Sequence, residues 1–296
     1  MTRKNADNQP TELIAALAFL NPNIEYEDIM NIRYPVKNLI ILKDVFDKYK
    51  KNFLSSKDIN YNKRFLFNLK NSNIIEDIEC IDKVYLVGKK SLKIYPEIYN
   101  LNNNLNKSDS KADIYLSFNN KSVIGVSIKK DKNCPKTNLG IENRLPDSLK
   151  LKNMRQRLLQ EKGINELNYK LKRKNANKIF HNRGNSYFSE LKEQIRKHNV
   201  DLIKEIVYSL YSINNQIPLY EYNGINMNKI TFNIELISKC KLEENESFYK
   251  TKNGKIRQAA KLFYLLEINE YTKYKVEIRW KGNIWKDSPQ FLTFEI

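Results

Sequence analysis

Three side chains in the stretch ADIYLSFNNKSVIGVSIKKDK, residues 112–132, have the types and spacing to do chemistry together: Asp113, Ser127 and Lys129. Read as two strands, the stretch puts Ile114, Leu116, Phe118, Ile124, Val126 and Ile128 on one apolar face. A one-residue slip would turn every side chain to the opposite face, so this apolar set fixes the pairing. A three-residue loop of Asn119, Asn120 and Lys121 then puts Phe118 opposite Ser122 and Asp113 opposite Ser127, with Lys129 one pleat further on. A two-residue loop would set Asp113 against Val126, on the wrong face, so the longer loop is predicted. A carboxylate, a hydroxyl and an ammonium at one end of a hairpin suit metal-assisted phosphodiester hydrolysis. The carboxylate holds Mg²⁺, a hard cation that keeps waters and substrate phosphate in its shell. The metal polarises the phosphoryl oxygen and lowers the pKa of a bound water, and the ammonium orients that water or neutralises the charge that develops. One carboxylate is a poor Mg²⁺ site, so a second must come from elsewhere. Glu142, thirteen residues past Lys129 in TNLGIENRL, is the first choice, with Thr137 starting a short helix that leans over the hairpin. Asp131 and Glu97 are the alternatives.

This pattern resembles the PD-(D/E)xK nuclease superfamily, and specifically the type II restriction endonucleases. They carry an Asp at the start of one strand, then an acid, any residue and Lys on the next. The likeness rests on Ala112-Asp113 and Ser127-Ile128-Lys129, and it departs from the pattern twice. Ala112 stands for the family's proline and Ser127 for its acid. Some restriction enzymes share the Ser-x-Lys variant and take the missing carboxylate from a glutamate on a following helix, at the spacing of Glu142. The resemblance covers about residues 110–145. It implies an α/β fold with a mixed central β-sheet flanked by helices, a restriction-endonuclease-like core, with Asp113 and Glu142 as metal ligands and Ser127 supporting a ligand or water. It implies Mg²⁺-dependent, site-specific cleavage of double-stranded DNA that leaves a 3′-hydroxyl and a 5′-phosphate. It also implies a homodimer that cuts both strands, and a cognate DNA methyltransferase in the same restriction–modification system. Two other readings are a non-catalytic basic nucleic-acid-binding protein, and a repair, recombination or RNA-cleaving nuclease on the same core.

The elements that must position these residues read as one nuclease domain over 1–296. Residues 11–70 are helical: Thr11 caps TELIAALAFL, Asn21-Pro22 stops it, Glu25 to Met30 forms a short helix, and VKNLIILKDVFDKYKKNFL repeats near the helical period. A catalytic core follows at about 74–145, with KVYLVG as a strand ahead of the hairpin. Residues 146–198 form a basic DNA-binding region, DLIKEIVYSLYSI a buried helix, and about 225–296 a strand-rich end in which KITFNIELISKC and KLFYLLEINEYTKYKVEIRW read as strands.

Charge points to the partner. The chain carries 52 Lys and Arg against 34 Asp and Glu, a net +18, and such a field attracts polyanions. Residues 144–198 hold fifteen Lys and Arg against five Asp and Glu, more than half of the excess. A helix opening at Asp147 or Ser148 brings Lys150, Lys152 and Arg157 toward phosphates, and Lys170, Lys172, Arg173, Lys174 and Lys178 form a second basic block. Arg and Asn pair bidentately with guanine and adenine edges, so Asn182, Arg183 and Asn185 in NANKIFHNRGNSY are the candidates for base readout. Arg279 and Lys281 in EIRWKGNIWKDSPQF are further DNA contacts, with Trp280 and Trp285 as packing anchors. Three scattered cysteines without a CxxC read as free thiols in a reducing compartment. LIAALAFL is too short to span a bilayer and no signal peptide is evident, so an intracellular, cytoplasmic protein without membrane contact is expected. Two histidines are too few for a ββα-metal nuclease, although His181-Asn182 keeps that as a minor alternative. No GxxxxGK[ST], GxGxxG or GxSxG occurs, which leaves nucleotide hydrolysis, dinucleotide binding and the α/β-hydrolase elbow without a motif.

Overall fold

The computed structural model describes residues 9–56, 58–72, 80–86, 98, 112–129, 135–180, 184–211, 213, 217–251, 253–255, 261–280 and 282–296. In chain order the elements are α1 (Gln9–Leu20), α2 (Tyr26–Asn31), β1 (Leu39–Ile40), α3 (Lys43–Leu54), α4 (Ile59–Lys70), β2 (Ile81–Leu86), β3 (Ile114–Phe118), β4 (Val123–Ile128) and β5 (Thr137–Gly140). After a 3₁₀ turn at Glu142–Arg144 come α5 (Ser148–Gln160), α6 (Tyr169–Ile179), α7 (Ser186–Lys197) and α8 (Asn199–Tyr211). The chain ends with β6 (Leu219–Tyr222), β7 (Met227–Lys229), β8 (Lys241–Glu244), β9 (Lys261–Glu267), β10 (Lys273–Arg279) and β11 (Gln290–Glu295), with 3₁₀ turns at Ile234–Lys239 and Glu246–Tyr249. This is a mixed α/β protein. Where the sequence predicts one domain, the chain divides into two compact units: Met1–Cys134 with Tyr211–Phe232, and Pro135–Leu210 with Asn233–Ile296. The predicted core at 74–145 is therefore split between them.

The first unit is built on a six-stranded mixed sheet in the order β1-β2-β3-β4-β6-β7. Strands β2, β3 and β4 form an antiparallel meander, and β6 returns parallel to β4. From Leu13 to Leu20 helix α1 is apolar on every side, the pattern of a buried helix, and Leu13, Ile14, Leu17 and Phe19 are all at most 1% exposed. Each such side chain stabilises the fold by roughly 1.5–3 kcal/mol. α1 packs against α3, α4 and β2, so the inner face of the sheet (Ile114, Leu116, Phe118, Val126, Ile128) closes over it. The helix starts at Gln9, so Thr11 lies inside it, buried, instead of capping it. The predicted helix from Val36 is also shorter than its pattern, because Leu39 and Ile40 leave it to pair with Val84 and Tyr85.

The second unit is a five-stranded antiparallel sheet, β5-β11-β10-β9-β8, accompanied by helices α5 to α8. β9 and β10 occupy the KLFYLLEINEYTKYKVEIRW segment as the alternation predicts. The predicted strand over 229–240 is instead a 3₁₀ turn, because the Asn233 side chain accepts from the Glu235 N–H and offers the backbone a local alternative to the ladder. Trp280 packs among Phe180, Tyr187 and Phe188, which makes it an anchor. Trp285 is buried as well. Cys80 and Cys240 are free thiols, and Cys134 lies outside the described residues. Among the described residues no helix is long and apolar enough to cross a membrane.

Candidate active site

The hairpin takes the predicted register. Ile114 pairs with Val126 and Leu116 with Ile124, the Phe118 N–H donates to the Ser122 carbonyl at 3.0 Å, and Asn119 to Lys121 form the loop. Lys121 turns the corner at φ 63°, in the left-handed region. Asp113 lies just before β3, where its N–H donates to the Val126 carbonyl at 2.9 Å, and its side chain reaches Ser127 and Ile128. Its Oδ2 accepts from the Ile128 N–H at 2.8 Å and, through a long 3.4 Å contact, from the Ser127 hydroxyl. Two donors on one oxygen fix the carboxylate in orientation at the end of β4. Lys129 follows immediately, its N–H donating to the Tyr222 carbonyl at 2.8 Å. Strand alternation puts Lys129 on the side that carries Ser127, and the residue is half-buried.

This side of the sheet is not open to solvent as a bare outer face would be. Ser127 and Tyr115 are fully buried, and Tyr115 belongs to a second small cluster with Tyr85, Ile98 and Ile217. Gly125 is part of the packing. A Cβ there would lie 2.9 Å from the Cβ of Ala112 and 3.1 Å from Leu219 Cδ1. The absent side chain lets the segment leading into Asp113 lie across β4.

The sequence reading misses one carboxylate. β6 pairs with β4 in register Ser127↔Glu221, so Glu221 stands beside Ser127 on the same face, with 8% of its surface exposed. Ser127 is thus flanked by Glu221 on β6 and reached by the carboxylate of Asp113, which stands just before β3. The available signal was a lone acid inside the apolar segment PLYEY. What spacing could not give was the parallel pairing of strands that are almost a hundred residues apart.

Glu142 has another task. The segment from Thr137 is strand β5, not a helix, and Glu142 opens the 3₁₀ turn after it. Only 3% exposed, its Oε1 accepts from Arg155 Nε and its Oε2 from Arg155 Nη2, both at 2.8 Å. The Tyr187 hydroxyl adds a third bond to Oε1 at 2.8 Å. Burial, reinforced by the Glu142 charge, raises the Tyr187 pKa well above its ordinary value and keeps that hydroxyl a donor. Arg155, 1% exposed, spends Nη1 on the carbonyls of Ile284 and Trp285. A carboxylate with both oxygens held this way is structural, and the expectation that Glu142 binds metal is corrected. Asp131 and Glu97 lie outside the described residues.

The predicted DNA contacts fare unevenly. Lys150 is paired with Glu190 at 2.8 Å and Arg157 with Glu161 at 3.1 Å, while Arg279 lies 3.9 Å from the buried Glu277. Asp147 precedes α5 as predicted, but its carboxylate accepts from Gln194 at 2.8 Å instead of capping the helix. Asn185 is the N-cap of α7: its Oδ1 accepts from the Phe188 N–H at 3.0 Å, and this is a structural duty, not base readout. Lys172 is tethered to the Gly163 carbonyl at 2.9 Å, and Arg173 is exposed. Asn182, Arg183 and Lys281 lie outside the described residues.

The residues present fit a Mg²⁺ site in their chemistry. Asp113 and Glu221 offer hard oxygens, and Mg²⁺ is held by one or two carboxylates with water and phosphate completing its shell. Among the described residues no three His, Cys, Asp or Glu side chains gather as a metal cluster. Compared with family models, curated proteins and solved structures, the chain matches none.

Proposed function

We propose that this protein is a Mg²⁺-dependent endonuclease of the restriction type, with its active centre at the β3–β4 hairpin of the first unit. The observation that carries this reading is the clasp of Asp113 by the Ile128 N–H and the Ser127 hydroxyl, with Lys129 as the next residue along the strand. The antiparallel meander with a parallel strand beside β4 supports a restriction-endonuclease-like core. Asp113 and Glu221 would hold the metal. When bound, Mg²⁺ supplies the polarisation of the phosphoryl oxygen and a water of lowered pKa. Ser127 fixes the orientation of Asp113 in place of a third carboxylate. Lys129 orients the attacking water and offsets negative charge in the transition state, and its half-buried setting strengthens that effect over an exposed ammonium. The substrate is double-stranded DNA, and the net charge of +18 supports a polyanionic partner. A homodimer and a partner methyltransferase belong to the same reading.

The test of the metal site is Mn²⁺ binding followed by calorimetry without DNA. Asp113→Asn and Glu221→Gln each weaken binding at least about tenfold, the size of effect that loss of a supporting carboxylate has on metal affinity. Glu142→Gln keeps the wild-type affinity in the folded fraction. Loss of binding in the Glu142 variant, with Glu221→Gln unaffected, would return the second ligand to Glu142.

A further inference from the structure

The second unit carries 29 Lys and Arg against 17 Asp and Glu, a net +12 that is two thirds of the chain's excess. The most one-sided part of it is α6, YKLKRKNANKI, with five cations and no acid in eleven residues. Its neighbours are laced with ion pairs. α5 has Lys150–Glu190 and Arg157–Glu161, and α7 has Arg196 and Lys197 on Glu193. On α6, by contrast, Lys170, Arg173, Lys174 and Lys178 are exposed and form no ion pair among the described residues.

α6 docks through Tyr169 and Ala176, its two buried residues, and the Tyr169 hydroxyl accepts from the Ile284 N–H at 2.9 Å. At about 100° per residue, the side opposite these two carries Lys170, Lys174 and Lys178 in one line, about 6 Å apart along the axis. Like charges four residues apart destabilise a helix, and Lys170 in the first turn opposes the helix dipole. The fold sustains this arrangement with few buried contacts from α6 itself. A polyanion laid along the line would relieve both costs.

We propose that the Lys170–Lys174–Lys178 line of α6 is a binding surface for the sugar–phosphate backbone of a DNA duplex, giving affinity without sequence information. This rests on the nuclease reading for its choice of duplex DNA, and within the block it leaves out Lys172, whose ammonium is tethered to the Gly163 carbonyl. An anionic membrane is the competing polyanion. An interfacial helix needs an apolar face opposite its charged one, and the outer side of α6 has only Leu171 as an exposed apolar residue.

The experiment measures binding of a short DNA duplex by the full chain in EDTA, where no cleavage occurs, across a salt series. The comparison is wild type, the triple variant Lys170→Gln/Lys174→Gln/Lys178→Gln, and Lys172→Gln. Each lost phosphate contact flattens the log–log salt slope by about 0.9. The triple variant is expected to be flatter by roughly 2.7, with a melting temperature no lower than that of the wild type, since relief of the like-charge repulsion favours the helix, and Lys172→Gln by much less. A steep wild-type slope that the triple variant leaves unchanged overturns the lysine line while leaving the nuclease reading intact. Absence of salt-dependent duplex binding by the wild type overturns the proposal and removes the DNA substrate with it. Binding to phosphatidylserine vesicles lost in the triple variant, with duplex binding unaffected, reassigns α6 to a membrane surface.

Discussion

Lys129→Ala and Asp113→Asn are expected to abolish measurable DNA cleavage while leaving duplex binding close to wild type. Removing one positioned charge from a transition state costs about 10²–10³ in rate, and Lys129 is assigned that role directly. Asp113 acts through two connections. Its Oδ2 accepts from the Ile128 N–H at 2.8 Å, and its carboxylate is proposed to hold the metal. The amide of Asn can still accept at one oxygen, so the strand end stays closed while the charge is lost. That separates chemistry from folding. The check is a cleavage time course with circular dichroism and duplex binding on the same samples. Equal loss of cleavage and binding in Lys129→Ala would make this lysine a backbone contact. Unchanged cleavage would remove it from the site.

The second large effect is on stability and lies in the other unit. Arg155→Met leaves the Glu142 carboxylate buried with its bidentate partner gone, removes the Arg155 bond to the Ile284 carbonyl, and leaves the Trp285 carbonyl with only a long 3.4 Å bond from the Gln156 amide. Breaking a buried pair from one side costs about 3–5 kcal/mol, which lowers the melting temperature by on the order of 10 °C for a unit of this size. Replacing the pair as a whole, Arg155→Met with Glu142→Leu, is expected to recover a large part of that loss, since no lone charge then remains buried. Thermal melts of the two variants check this. A melting temperature for Arg155→Met within a degree or two of wild type would mean that the network carries little of the fold.

The sequence carried the hairpin almost completely, because everything that sets it is local. Alternation from Ile114 to Phe118 and from Val123 to Ile128 defines the inner face, and only one loop length keeps Asp113 on the face of Ser127. The apolar run of α1 from Leu13 to Leu20 was legible for the same reason. What failed depended on distant partners. The LIIL run fits a helix and a strand equally, and it is the pairing of Leu39 with Val84 that decides. Glu142 stands in a polar stretch, GIENRL, and its distance from Lys129 reads as that of a metal ligand. Its burial is set by Arg155 and Tyr187, which lie thirteen and forty-five residues further on. Glu221 was missed because it reaches Ser127 only through the parallel return of β6. Asn185 reads as a base-recognising side chain and is a helix cap, a position at which Asn is among the preferred residues.

The measurement that bears most directly on the active centre is incubation of the wild-type protein with unmethylated phage DNA in Mg²⁺ and in EDTA, beside Lys129→Ala. Discrete fragments that require Mg²⁺ and vanish in the variant are the predicted result, and they identify a site-specific nuclease centred on the hairpin. Intact DNA under both conditions, with salt-sensitive retention of the duplex that Lys129→Ala leaves unchanged, would contradict it and make the hairpin a scaffold within a DNA-binding protein.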